Sequence, residues 1–237
     1  MENKIIVGNI KMNMKYGEIA NYTESLKKIH NKNVIICPSY IYIPYFLNYD
    51  YSVGSQDVCS YEGENCTGEV SASQLSSIGV NYTIVGHNER RTKFKETDVD
   101  INRKIKNSLT SKLKVILCIG ETYEDYKLLK KDKKIKRQIR DALFGIDNIN
   151  DIILAYEPAW SIGSNRVLDI KELDSTIKYI KDLVFDLYHQ TIKVIYGGSI
   201  NENNIEKFNS IDSLDGFLIG SASINPNKFI EIINKII

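Results

Sequence analysis

In the stretch YEPAWSIGSN, residues 156–165, a carboxylate, Glu157, stands directly before a proline, followed by the chain's single tryptophan and a glycine among small polar residues. A carboxylate in such a place can serve as a general base. Lys11 in GNIKMN offers a cation, and His87 in IVGHNERR offers an imidazole whose proton is exchangeable near neutrality. Gly197-Gly198-Ser199 and Gly220-Ser221 offer two amide-rich turns, which can hold an anion without any broad basic surface. Taken singly, each has an ordinary reading. Lys11 reads as a solvated lysine, His87 as a hydrogen-bonded structural histidine, Glu157 as a polar strand end kept extended by Pro158, and the glycine pairs as common turns. Taken together, a base, an imidazole, a cation and two amide-rich turns form a coherent chemical set, provided the fold brings them to one place.

The elements that must do so are short apolar runs: 4–7, 34–37, 51–54, 82–85, 114–117, 152–155, 192–195 and 217–220. Between most of them lie charged segments with apolar residues at helical spacing, such as Ile101, Ile105 and Leu109, or Ile170, Leu173, Ile177, Ile180 and Val184. Strands apolar on both faces and alternating with helices predict a parallel sheet. A doubly wound sheet and a closed barrel both fit that alternation. Eight units in 237 residues without a linker favour a single (β/α)8 barrel domain spanning 1–237. The polar and glycine residues follow the runs, so in a barrel they gather on the face where the βα loops meet. There Asn9, Lys11, Gln56, Asp57, His87, Glu121, Glu157, Ser199 and Gly220 would converge.

Composition narrows the function classes. With 31 Lys and Arg against 30 Asp and Glu, the net charge is +1, so no global field favours nucleic acid or an anionic membrane. An anionic ligand must be held locally. No run approaches a membrane span, and the start lacks a signal-peptide pattern, so a cytoplasmic protein is expected. Cys37, Cys59, Cys66 and Cys118 lack metal-ligand spacing, which predicts free thiols, no zinc site and no disulfide framework. Residues 127–140 hold eight Lys or Arg, a candidate for an acidic partner. Leu128, Leu129, Ile135 and Ile139 can face the barrel, so the expectation is a solvated outer helix and no nucleic-acid binding.

GNIKMN, TGEVSASQL, IVGHNERR, CIGE, YEPAW with IGSN, YGGS and DGFLIGSAS occur in an order that resembles the triosephosphate isomerase family along nearly the whole chain. The resemblance implies interconversion of dihydroxyacetone phosphate and glyceraldehyde 3-phosphate through an enediolate, in glycolysis and gluconeogenesis, without cofactor or metal. By the same resemblance Glu157 is the base, His87 the electrophile and Lys11 the electrostatic stabiliser. Asn9 and Lys11 are also substrate-binding residues, Asn9 helping to arrange this corner, and Glu89 is an acid paired with Lys11. Gly163, Ser199, Gly220 and Ser221 match the phosphate-gripping positions, and the segment after Glu157 matches a closing lid.

Several residues depart from the family pattern. Ile10 replaces a tryptophan, Asn88 a serine that can hold the glutamate at rest, Asn165 a lid glycine and Ser221 the second glycine of its turn. The resemblance also implies a homodimer through the 61–69 loop, where Asn65 and Cys66 replace a small residue and an aromatic anchor. Two further function classes stand beside the isomerase. One is a phosphate-binding barrel with weakened catalysis that acts as a binder or scaffold. The other is a barrel isomerase acting on a phosphoribosyl compound. A pure binder needs no base, so Lys11, His87 and Glu157 together favour the isomerase.

Overall fold

A computed structural model describes residues 4–63, 65–161 and 168–237. Eight parallel strands close into a barrel in sequence order: β1 Ile5–Asn9, β2 Val34–Cys37, β3 Ser52–Ser55, β4 Tyr82–Val85, β5 Lys114–Ile119, β6 Ile152–Tyr156, β7 Lys193–Tyr196 and β8 Gly216–Ile219. The closing seam pairs Ile5 with Gly216 and Gly8 with Ile219. This is the (β/α)8 barrel expected from the alternation of apolar runs and amphipathic segments.

Around it run α1 Tyr16–Leu26, α2 Ile43–Phe46, α3 Ala72–Ser77, α4 Asn88–Lys93, α5 Asp98–Thr110, α6 Tyr123–Lys127, α7 Lys131–Ala142, α8 Ile170–Tyr188, α9 Ile205–Asn209 and α10 Pro226–Ile236. Local chemistry sets several starts. Ser71 with Gln74, Thr97 with Asp100 and Thr122 with Asp125 form reciprocal caps that satisfy otherwise orphaned N–H groups. Asn225 caps α10, whose first residue is Pro226.

The period-two alternation of the strands divides the core into two layers. Ile5, Val7, Ile35, Cys37, Ile84, Ile116, Cys118, Ile153, Ala155, Ile195 and Leu218 fill the barrel interior. Alternate residues such as Ile6, Ile36, Val115, Leu154, Tyr156 and Phe217 face the helices, where Ile101, Ile105, Ile135, Ile139, Leu173 and Ile177 cover them. Continuing the interior parity one step past Val7 and Ala155 reaches Asn9 and Glu157. The alternation that fills the barrel thus aims these side chains into its mouth.

The basic 127–140 stretch differs from the expectation of one helix with four inward apolar residues. Ile135 and Ile139 are fully buried, but Leu128 is 53% exposed and Leu129 93% exposed. The chain breaks between α6 and α7, and Leu129 adopts a left-handed backbone with φ 54°. That turn carries both leucines off the apolar stripe. None of the described helices is long and apolar enough to cross a membrane.

Candidate active site

At the carboxyl ends of the strands lies a cavity of about 340 Å³, lined by Asn9, Lys11, His87, Glu157, Ser199, Gly220 and Ser221 among others. Seven of the nine residues to which the family resemblance gives a role, all but Glu89 and Gly163, therefore line one cavity. Glu89 stands behind them as the ion-pair partner of Lys11. Gly163 and Asn165 lie outside the described residues.

Lys11 follows β1 in a left-handed conformation, φ 56°, which costs a residue with a Cβ about 1–2 kcal/mol. Its backbone is held from three sides. The Lys11 N–H donates to Asn9 Oδ1 (3.1 Å), while its carbonyl accepts from Ser39 Oγ (2.9 Å) and Gln56 Nε2 (2.8 Å). Gln56 also donates to the Cys37 carbonyl (2.9 Å), tying this corner to β2. The side chain then reaches Glu89, with Nζ 2.8 Å from Oε1. Burial opposes ionisation of Glu89, but the hydrogen bond and charge of Lys11 outweigh it, leaving the carboxyl below its ordinary value.

His87 caps α4 with its ring: Nδ1 accepts the Glu89 backbone N–H at 3.2 Å. A nitrogen that accepts carries no proton, so the neutral ring keeps its proton on Nε2. That atom faces Glu157, 3.4 Å from Oε1. Glu157 is 4% exposed, and its other carboxylate oxygen, Oε2, is buried without a hydrogen-bond partner among the described residues. Such an oxygen is one that a substrate proton can satisfy. Below it, burial and then the Glu157 carboxylate hold the Cys118 thiol far above its ordinary pKa, so it remains a neutral neighbour.

The segment leaving Glu157 is anchored at its start. Trp160 Nε1 donates to Glu121 Oε1 (3.0 Å), Tyr156 donates to the same carboxylate (3.1 Å), and the Ala159 N–H donates to the Glu121 carbonyl (2.9 Å). Burial raises the Glu121 carboxyl above its ordinary value, partly offset by these donors. The indole packs on Tyr126 with ring centroids 4.9 Å apart. Across the cavity, Ser199 Oγ donates to the Ser161 carbonyl, and Asn204 Nδ2 donates to the Ser199 carbonyl (2.8 Å). The β7 turn is thereby joined to the first residues of the segment. Among the described residues, no cluster of three or more His, Cys, Asp or Glu side chains could hold a metal ion.

A family profile for triosephosphate isomerase matches residues 4–236. The chain belongs to the triosephosphate isomerase family. It is 38% identical to the triosephosphate isomerase of Buchnera aphidicola subsp. Baizongia pistaciae over 255 residues, covering 99% of this chain and 100% of the relative. Against that of Alkaliphilus metalliredigens it is 33% identical over 247 residues, covering 99% and 100%. Against that of Mycoplasmoides gallisepticum it is 42% identical over 173 residues, covering 70% and 69%. As a member of the triosephosphate isomerase family the chain is an isomerase, and the departures from the family pattern gain a structural context.

Ile10 is buried in the layer between sheet and helices. Ser221 opens a short 3-10 turn, residues 221–224, and is absent from the left-handed residues, so the turn does not demand the family's glycine there. Asn88 begins α4 beside the ring of His87, and its carbonyl accepts from Thr92 Oγ1 (2.8 Å).

Three features of the site were not assigned from sequence. Gln56 and Glu121 were legible only as polar residues after strands, because what they grip is a backbone carbonyl and an indole brought in by other loops. Glu202 and Lys228 also line the cavity and pair at 2.6 Å. Neither lies in a motif, and nothing short of the fold joins an asparagine-rich turn to α10.

Proposed function

We propose that this chain interconverts glyceraldehyde 3-phosphate and dihydroxyacetone phosphate, with Glu157, His87 and Lys11 as its catalytic residues. The observation that carries the assignment is the ring of His87. Its Nδ1 accepts a backbone N–H, so its Nε2–H points into the cavity beside Glu157. In this reading Glu157 removes a carbon-bound proton with its unpartnered oxygen. His87 donates to the substrate oxygen on which negative charge grows, and the Lys11 ammonium stabilises that charge. The same carboxyl then returns the proton to the adjacent carbon, so no external reagent is consumed.

The phosphate is assigned to the backbone N–H groups at Ser199, Gly220 and Ser221, with Gly163 from the lid. Converging amides hold a dianion without a basic patch, in keeping with the net charge of +1. Lys11 contributes to substrate binding from the opposite wall, and Asn9 fixes its backbone. Closure of the segment after Trp160 excludes water while the enediolate exists. We assign the enzyme to glycolysis and gluconeogenesis in the cytoplasm. It is read as one domain without a cofactor, pairing as a homodimer through the 61–69 loop.

The test is isomerisation of glyceraldehyde 3-phosphate by the purified chain beside Glu157→Gln. Loss of a positioned base is expected to lower kcat by at least about 10²-fold, with substrate still bound. A parent chain that binds phosphate but does not isomerise would favour the binder instead. Comparable rates in parent and variant would remove Glu157 from the mechanism.

A further inference from the structure

The two turns proposed to hold the phosphate are bridged by an ion pair that the isomerase reading leaves without a role. Glu202 stands three residues after Ser199 on the β7 turn, and Lys228 lies in the first turn of α10, beyond Gly220 and Ser221. Lys228 Nζ is 2.6 Å from Glu202 Oε1, and both side chains line the active-site cavity. The hydrogen bond from Lys228 holds the Glu202 carboxyl below its ordinary value, so it is ionised at neutral pH. Among the described residues lining the cavity, Lys11 and Glu157 are the other charged side chains, and both belong to the proposed reacting end. Lys235 is also near, but its ammonium is held by the Glu202 backbone carbonyl (2.7 Å) and the Glu231 carboxylate (2.9 Å). Lys228 is thus the one cation, among the described residues, hydrogen-bonded to the Glu202 carboxylate.

We propose that Lys228 is a positioning residue for the substrate phosphate: it neutralises Glu202 on the cavity wall, so that the two turns accept a phosphate dianion. This rests on the assignment of the phosphate to those turns. A bare carboxylate beside them would repel the dianion that their amides attract. Stability does not account for the pair, because the Lys228 side chain is 53% exposed and exposed ion pairs contribute little to folding. Nor does the shape of the turn depend on it. Asn204 Oδ1 accepts the Asn201 N–H (2.8 Å), Asn201 Oδ1 accepts the Asn203 N–H (2.9 Å), and Asn204 Nδ2 donates to the Ser199 carbonyl (2.8 Å). With the Lys235 bond to the Glu202 carbonyl, these contacts hold the turn when the Lys228 side chain is removed. What Lys228 supplies is charge.

The test titrates the full chain with inorganic phosphate by calorimetry, at fixed ionic strength and at a mildly alkaline pH where phosphate is a dianion, with glyceraldehyde 3-phosphate kinetics alongside. Lys228→Met leaves Glu202 uncompensated, and is expected to raise the Kd for phosphate and the KM for substrate roughly five- to tenfold, with kcat within about twofold of the parent. Adding Glu202→Gln to Lys228→Met removes the stranded charge, and both constants are expected to return to within about twofold of the parent. Lys228→Arg keeps the charge and is expected to match the parent. Glu202→Gln alone leaves the cation in place and is expected to bind phosphate at least as tightly as the parent; weaker binding would overturn the proposal even if Lys228→Met fails to fold. Unchanged phosphate affinity in Lys228→Met would overturn it too. So would a double variant that binds as weakly as Lys228→Met, because a lysine that touches the phosphate or only shapes the turn is not rescued by removing Glu202. A parent that binds phosphate without isomerising would defeat the catalytic assignment alone, whereas a parent that binds no phosphate would defeat the phosphate site and this role together.

Discussion

Gly197→Ala is a sharp probe of the active-site geometry because it adds one methyl group and no charge. A Cβ built at Gly197 would lie 2.7 Å from Glu157 Cγ, 3.0 Å from Oε1 and 3.3 Å from Cδ. Ordinary contact begins at 3.4 Å, so the glutamate side chain must retreat by about 0.7 Å. Gly197 does not occupy the left-handed region, so alanine is tolerated by the backbone and the fold should form. The cost falls on alignment. A misplacement near 1 Å at a reacting group is worth roughly 10²-fold, or about 2.7 kcal/mol in activation free energy. The backbone amides at Ser199 and Gly220, the proposed phosphate grip, remain in place. The expected outcome is therefore kcat lowered by about 10²-fold with KM changed by less than about threefold, measured by coupled-enzyme kinetics. A folded variant whose kcat stays within about threefold of the parent would show that the carboxylate position does not limit the rate. The assignment of Glu157 as the base would then lose its geometric support.

Other perturbations separate the remaining parts. Lys11→Met removes the cation from the site, and kcat is expected to fall by about 10²–10³-fold; a change confined to KM would make Lys11 only a binding group. Trp160→Phe leaves Glu121 buried with one donor fewer, and a urea midpoint lowered by the equivalent of about 1–3 kcal/mol is expected. An unchanged midpoint would mean that the indole bond anchors nothing. Lys104 is 4% exposed and bonded to both Asp57 and Glu96, so Lys104→Met should destabilise the fold, by less than the about 3–5 kcal/mol of a fully unpaired buried charge because Arg90 still pairs with both carboxylates. Asp57 gives a pH test. Burial and the charge of Glu96 push its carboxyl up to about 6 despite Lys104 and Arg90. The unfolded value is about 3.9, so the folded state binds the proton more tightly and this contribution to stability falls as pH rises from about 4 to about 6. Asp57→Asn should therefore compare least favourably with the parent near pH 4 and more favourably by pH 7; a difference independent of pH would refute the raised value.

Much of this was readable because the barrel is a periodic object. The runs at 34–37 and 82–85 coincide with β2 and β4, and the others differ from their strands by one or two residues at one or both ends. Near-continuous burial marks a strand well but not its last hydrogen bond. The mouth residues were legible because strand parity and a shared carboxyl end bring distant positions together. The Leu128-Leu129 turn was not, since periodicity registers apolar residues and cannot see a left-handed break inside the repeat. Gln56, Glu121 and the Asp57–Lys104 pair escaped for a different reason. Their partners are 35 to 47 residues away or on backbone atoms, and only closed βα loops bring them within hydrogen-bond distance.

Barrel closure also divides the chemistry between two lengths of chain. Asn9, Lys11, Gln56, His87 and Glu89 belong to the first four βα units; Glu157, Ser199, Gly220 and Ser221 belong to the last four. The halves meet along two seams, β4 with β5 and β1 with β8, each defined by four register pairs. The 3.4 Å approach of His87 to Glu157 is thus an inter-half distance, fixed by strand register rather than by any local motif. Cut between α5 and β5, the chain would yield one fragment carrying the proposed polarising groups and another carrying the proposed base and phosphate turns. Neither piece alone would hold a complete reaction path, and reassembling both seams would be the condition for catalysis.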